Sequence, residues 1–312
     1  RVRNMAITGV LRPGHMQLKG LDLDEAVEFY SNVVGLVQTG RDATRAYFKG
    51  WDERDHHSLI LRDAGEAGMD FYGFKVADDA TLATLEADLK NYGVTTERVP
   101  AGDLLETGER VRFQIPSGHL IELYSQKTDV GNGMGYINPP PWNEAAERGI
   151  APIRMDHALL YGPDIEKVQA LFVDVLGFYL VEHILLEDGK TDLAIWLSCS
   201  TKAHDIALVR NEEPGKLHHT AFLLDSWEKV LRAADLMSMN RVTIDMGPTR
   251  HGVTRGTTIY AFDNSGNRFE TFCGGYQSYP DWEPLTWTWD EVGPAVFYHD
   301  RKLNPAFLGV YT

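Results

Sequence analysis

The segment Met155-Asp156-His157-Ala158-Leu159-Leu160 leads through polar Asp164 and Glu166 into an amphipathic run from Val168 to Leu176, then Gly177-Phe178. It decides the fold because the chain contains it twice. The counterpart is Gly14-His15-Met16-Gln17-Leu18, with Asp22, Asp24 and Glu25 at the polar entry, a run from Ala26 to Val34, and Gly35-Leu36. In both copies 20 residues separate the histidine from the glycine. Each reads as a strand feeding a helix that closes on a glycine in the left-handed conformation, which side chains resist.

A second pair of segments repeats as well. Asp70-Phe71-Tyr72-Gly73-Phe74 resembles His218-His219-Thr220-Ala221-Phe222, and Pro116-Ser117-Gly118-His119-Leu120-Ile121-Glu122 resembles Asn264-Ser265-Gly266-Asn267-Arg268-Phe269-Glu270. From Phe74 to Glu122, and from Phe222 to Glu270, is 48 residues. The chain is therefore expected to be α+β, with four βαβββ modules at about 10–65, 67–127, 153–210 and 216–275. Short helices are expected at 78–92 and 226–239, the second opened by Ser226 as N-cap. Residues 131–141 are rich in glycine and proline and read as a linker. The aromatic residues after Pro280, among them Trp282, Trp287, Trp289, Phe297 and Phe307, imply a packed tail. The expected division is 1–135, 150–280 and the tail 281–312.

Composition narrows the function. The 312 residues carry a formal net charge of -15, which disfavours nucleic acid and anionic membrane surfaces as partners. Two cysteines, Cys199 and Cys273, offer neither a disulfide framework nor zinc-finger spacing and fit a reducing, cytoplasmic setting. The first residues are not followed by an apolar run of signal-peptide length, and no run of about 18 apolar residues occurs.

Placing the halves in register sets His15 opposite His157, Phe71 opposite His219, and Glu122 opposite Glu270. The second half thus holds a His, His, Glu set, while the first has phenylalanine where the second histidine belongs. Phe74 and Phe222 anchor this register, so His219 and not His218 is the candidate ligand. Adjacent strand residues point to opposite faces, so His218 is expected to face away in a structural role. A lone histidine in an apolar strand is commonly a core residue with a hydrogen-bond partner. The joint placement of three ligand types argues for a site, Glu270 most of all, since an unpartnered inward carboxylate would be costly. Two imidazoles and one carboxylate beside open positions describe the facial triad of non-haem Fe(II) oxygenases.

The chain resembles the type I extradiol dioxygenases of the vicinal oxygen chelate superfamily from about Val10 onwards. The motifs that carry the resemblance are Leu11-Arg12-Pro13-Gly14-His15, Gly68-Met69-Asp70-Phe71, Asp156-His157-Ala158-Leu159, Ser200-Thr201-Lys202-Ala203-His204-Asp205, Gly247-Pro248-Thr249-Arg250-His251-Gly252, Ser265-Gly266-Asn267-Arg268 with Glu270, and Phe297-Tyr298-His299-Asp300-Arg301. It implies two duplicated barrel-like domains, an N-terminal scaffold without metal and a C-terminal catalytic one. It further implies that His157, His219 and Glu270 bind Fe(II), with His204, His251 and Tyr260 around substrate and O2. The implied reaction is extradiol cleavage of catechol or substituted catechols to 2-hydroxymuconate semialdehyde, and the implied assembly is a homotetramer.

This chemistry suits those residue types. A facial triad leaves three coordination positions open, enough for a vicinal diol and dioxygen, whereas tetrahedral zinc with three protein ligands leaves one and lacks redox activity. Tyr260 could accept or share a proton lost by the diol, with His251 beside it. His204 is expected to titrate near neutrality and so to supply a proton to reduced oxygen. A glyoxalase-type isomerase on the same fold would need a fourth protein ligand, and a non-catalytic binding protein would leave His204, His251 and Tyr260 without a purpose.

Overall fold

The computed structural model describes residues 9–312, so the first eight residues of the expected 1–135 segment lie outside the described residues. Chain order gives the four modules directly. The first is β1 (Val10–Gly20), α1 (Leu23–Glu28), β2 (Val37–Arg41), β3 (Arg45–Lys49) and β4 (Leu59–Asp63). The second is β5 (Gly68–Val76), α2 (Asp79–Asn91), β6 (Thr96–Val99), β7 (Arg110–Gln114) and β8 (Leu120–Tyr124). The third is β9 (Arg154–Gly162), α3 (Ile165–Asp174), β10 (Tyr179–Leu185), β11 (Asp192–Ser198) and β12 (Ile206–Arg210). The fourth is β13 (Lys216–Leu223), α4 (Trp227–Met239), β14 (Ile244–Arg250), β15 (Gly256–Phe262) and β16 (Arg268–Gly274). β17 (Leu285–Trp287), α5 (Val292–Val296) and α6 (Pro305–Gly309) follow.

Local chemistry explains the helix ends. The Asp78 and Ser226 side chains accept the Thr81 and Lys229 N–H groups, satisfying donors that α2 and α4 leave unpaired at their first turns. α1 widens into a π turn over 29–34 before Gly35 ends it at φ +80°. A Cβ there would also lie 1.8 Å from the Arg148 carbonyl oxygen, so Gly35 is fixed by both conformation and space.

The strands form two mixed sheets, ordered β2-β3-β4-β1-β5-β8-β7-β6 and β14-β15-β16-β13-β9-β12-β11-β10-β17. Within each half the first strands of the two modules pair antiparallel, β1 with β5 and β9 with β13. Their registers match residue for residue: His15 opposes Gly73, which opposes Glu122, and His157 opposes Ala221, which opposes Glu270. The repeat read from sequence is therefore a repeat of hydrogen-bonded position.

α3 and α4 cover the outer face of the second sheet, α3 through Val168, Leu171 and Phe172 and α4 through Val230, Ala233 and Met237, the three-and-four spacing of a buried stripe. Full burial of a side chain such as Phe172 stabilises the fold by about 1.5–3 kcal/mol. The inner face curls round a cavity, because residues as far apart in the sheet as Tyr260 of β15 and Ile184 of β10 line the same space. The segment 281–312, expected as a packed aromatic tail, contacts that half. β17 pairs parallel with β10, and Thr312 exchanges two backbone hydrogen bonds with Leu217.

The halves join through buried contacts near their central strands. Phe74 meets Phe172 and Phe178 edge to face. The Tyr72 hydroxyl donates to the Asp205 carbonyl at 2.9 Å, and His119 Nε2 lies 2.8 Å from the Lys216 carbonyl oxygen.

Candidate metal centre

His157, Ala221 and Glu270 form one row across β9, β13 and β16, and His219, two residues before Ala221, points to the same face. One ligand atom from each of His157, His219 and Glu270 lies within 4.8 Å of the others, and all three residues are buried. Glu270 Oε2 is 3.2 Å from His157 Nε2 and 3.1 Å from His219 Nε2. Two ligands at right angles, each about 2.1 Å from a shared ion, would stand about 3 Å apart. Each Glu270–histidine spacing fits two neighbouring corners of an octahedron. Burial opposes the Glu270 charge, but its histidine partners hold the carboxyl well below the usual carboxylate range.

The groups behind the triad fix which nitrogen faces the centre. His157 Nδ1 donates to Asp156 Oδ2 at 2.9 Å, leaving Nε2 with its lone pair inward. Burial works against the Asp156 charge, yet Lys202 and His157 keep its carboxyl well below normal. Lys202 in turn lies 2.9 Å from Asp205. On the carboxylate side Thr258 donates to Glu270 Oε1, leaving Oε2 towards the two histidines. None of Asp156, Lys202, Asp205 or Thr258 was singled out as a site residue in the sequence. The Asp-His doublet and the Lys202-Ala203-His204-Asp205 run were the available signals.

His218 corrects the expectation that it faces away. A bulge between Leu217 and His219 breaks the strict alternation of β13, and His218 lines the cavity beside His219. Its Nε2 donates to the Phe307 carbonyl at 2.9 Å, which leaves Nδ1 as acceptor. His219 Nδ1, 2.8 Å away, must then be the donor, and His219 Nε2 is left free for a metal. The tail thus sets the tautomer of a candidate ligand through one intervening histidine.

Tyr260 stands directly opposite Glu270 on β15, and its ring packs edge to face on His219. His251 Nδ1 donates to the Val296 carbonyl, so its Nε2 accepts the Tyr260 hydroxyl proton at 2.7 Å. Burial, reinforced by the Glu270 charge, pushes the Tyr260 phenol well above 10. His204 lies with its ring centroid 3.9 Å from that of His157. Its pKa is depressed well below 6.5 by burial first and by His157 second, so the expected titration near neutrality is replaced by a neutral resting imidazole. All six predicted residues line one cavity of about 550 Å³ whose walls include Leu159, Ile184, Trp196, Val253 and Leu308.

The N-terminal half carries the counterpart of this centre. Leu59 opposes Met16 as Ile206 opposes Ala158, which makes His57 the equivalent of His204. Sequence spacing does not align this pair, because 42 residues separate His15 from His57 and 47 separate His157 from His204. The strand registers also set Arg110 at the position of Thr258 and Arg112 at that of Tyr260. Arg110 Nε lies 2.8 Å from Glu122 Oε2, the oxygen that His15 Nε2 approaches at 3.0 Å, and Arg112 takes Oε1 at 2.6 Å. Phe71 packs against His15 and under the Arg112 guanidinium. Two guanidinium groups supply the positive charge.

Duplicated βαβββ modules with a buried two-histidine, one-carboxylate cluster define a metalloenzyme of the glyoxalase, bleomycin resistance protein and dioxygenase superfamily, whose family model matches residues 154–271. The Catechol 2,3-dioxygenase-like N-terminal domain model matches residues 69–128. The chain is 52% identical to a metapyrocatechase of Pseudomonas sp. (strain CF600), over 97% of this chain and 99% of that one. It is 29% identical to a manganese-dependent 2,3-dihydroxybiphenyl 1,2-dioxygenase of Geobacillus genomosp. 3, over 94% of each. Its structure superposes on the 2,3-dioxygenase LapB of Pseudomonas sp. KL28 with a TM-score of 0.90 and 66% identity, covering 91% of this chain and 99% of that one. The chain belongs to the extradiol ring-cleaving dioxygenases of that superfamily.

Proposed function

We propose that the enzyme opens the ring of catechol, or of a substituted catechol, at the bond beside the diol. Both atoms of O2 enter the product, 2-hydroxymuconate semialdehyde in the case of catechol, so no separate reductant is needed. One observation carries the reading: three ligand atoms converge in an apolar cavity that Tyr260, His251 and His204 share. The name of the 52% identical relative, metapyrocatechase, supports the same substrate class.

Fe(II) held by His157, His219 and Glu270 would supply electron transfer towards oxygen and a charge that favours the ionised diol. The protein groups handle position and protons. Because the Tyr260 hydroxyl already donates to His251 Nε2, its oxygen can take a diol proton while its own moves to His251. The Val296 carbonyl holds the His251 ring in the orientation that this relay needs. His204, beside His157, suits donating to an oxygen atom on the other side of the centre. The apolar walls keep bulk water from competing for these protons.

The reading also takes the 150–280 segment as the catalytic unit, the 1–135 segment as a metal-free scaffold, and the cytoplasm as its location. No helix among the described residues is long and apolar enough to cross a membrane. Exposed Tyr136, Ile137 and Trp142 support burial against further copies, in a homotetramer. Anaerobic reconstitution with Fe(II), followed by catechol in air, should give the yellow ring-fission product. Colour with Mn(II) and none with Fe(II) would reassign the metal, since one relative is manganese-dependent. No colour with either would overturn the function.

A further inference from the structure

Glu182 is a carboxylate that the proposed chemistry does not use. It lies on β10, just past a bulge between Leu180 and its own position, and is 1% exposed. Among the described residues no ion pair reaches it. Instead three neutral donors converge: the Thr254 N–H at 2.8 Å and the Tyr276 hydroxyl at 2.9 Å on Oε2, and the Trp287 indole N–H at 2.7 Å on Oε1. A buried carboxylate is costly unless its lone pairs are met, and these donors meet them from three separate stretches of chain.

Those stretches surround His251. Thr254 belongs to the turn 251–255 between β14 and β15, where Thr254 and Arg255 both adopt left-handed backbone, at φ +57° and +58°. Side chains disfavour that conformation, so the turn persists because its surroundings hold it. Trp287, on β17, packs so closely on Gly252 that a Cβ there would lie 2.8 Å from the indole. Tyr276 follows β16, lines the cavity and stacks under Arg255. The Gly252 and Val253 N–H groups donate to the Ala295 carbonyl, and His251 donates to that of Val296. The turn and the tail are therefore pinned to each other, and Glu182 pins both to the sheet.

We infer that Glu182 is a positioning residue for His251: by holding Thr254 and Trp287 at once, it sets the distance between His251 and Tyr260. The inference rests on the proposed role of His251. A displacement of about 1 Å at a reacting group can cost on the order of a hundredfold in rate, so a loosened turn should slow turnover without emptying the metal site. Glutamine at position 182 keeps the shape but turns one acceptor into a donor facing a donor.

The test is a double-mutant cycle of E182Q and H251F, reading kcat, KM for catechol, metal content and thermal midpoint. E182Q alone should lower kcat about tenfold or more with metal content unchanged. In the H251F background it should cost less than about twofold, because the group it positions is gone. Equal losses in both backgrounds would mean a general structural role and would overturn the inference. So would a normal kcat in E182Q while H251F is slow. A normal rate in H251F would instead overturn the role of His251 itself, and the positioning argument with it. If E182Q fails to fold, W287F and Y276F each remove one donor and leave the carboxylate. They should show the same dependence on His251, and its absence would count against the inference equally.

Discussion

Glu270 divides its two oxygens between two tasks: Oε1 accepts the Thr258 hydroxyl, and Oε2 faces His157 and His219. Glu270→Ala should therefore lose bound metal and activity together, whereas Thr258→Val should keep the ligand and lower metal affinity about 10–100-fold, the usual effect of an outer partner. Metal titration against a chelator distinguishes these, and full metal occupancy with normal turnover in Glu270→Ala would remove it from the ligand set. His204→Phe keeps the triad and the Tyr260 relay. It should retain metal and catechol binding while slowing turnover on the order of a hundredfold. If single-turnover kinetics show a normal rate, His204 plays no part in the oxygen step. His218 illustrates what one residue can hide: its identity suggests a spare histidine, and only the bulge and the Phe307 carbonyl reveal that it fixes the His219 tautomer.

At the scale of elements, the βαβββ module was legible because its marks are local: a strand, an amphipathic run and a glycine at fixed spacing. The equivalence of His57 and His204 was not, since hairpins of different length separate them from their first strands and only hydrogen-bond register restores the match. The N-terminal counterpart shows how one sheet geometry can hold a carboxylate in two ways. In one half Glu270 sits among histidines; in the other Glu122 sits under Arg110 and Arg112. Arg110→Met should strand a buried carboxylate and cost about 3–5 kcal/mol in urea unfolding. A loss below about 1 kcal/mol would show that Arg112 alone compensates Glu122. Phe71→Ala should cost a similar amount through the cavity it leaves. Any metal bound in the first half of that variant would contradict the idea that guanidinium charge closes the site.

For the whole molecule, the join between halves predicts a pH dependence. His119 is buried with Nδ1 beside Ser117 and Nε2 at the Lys216 carbonyl, and burial depresses its pKa to about 4 from 6.5. The unfolded chain takes up this proton near 6.5 and the folded chain only near 4. The associated stability is thus complete above pH 6.5 and drains away as pH falls towards 4. Between those limits it amounts to roughly 3 kcal/mol. His57 is depressed well below 6.5 as well, again chiefly by burial, and steepens the same acid loss. His119→Gln should flatten the decline of the urea midpoint between pH 6.5 and 4, and an unchanged slope would place the acid sensitivity elsewhere.

The sequence by itself determined the modules, the duplication and the His157, His219, Glu270 register, because strand pairing in a duplicated sheet repeats with the chain and spacing survives translation into register. It also indicated where the first half departs, at Phe71. Only the tertiary structure decided what stands behind each candidate ligand. Arg110 and Arg112 on Glu122, Thr258 on Glu270, Phe307 acting through His218, and Glu182 spanning turn and tail are contacts between residues up to 105 positions apart. Such contacts leave no periodic trace, since they depend on how sheet and tail fold over one another rather than on any local pattern.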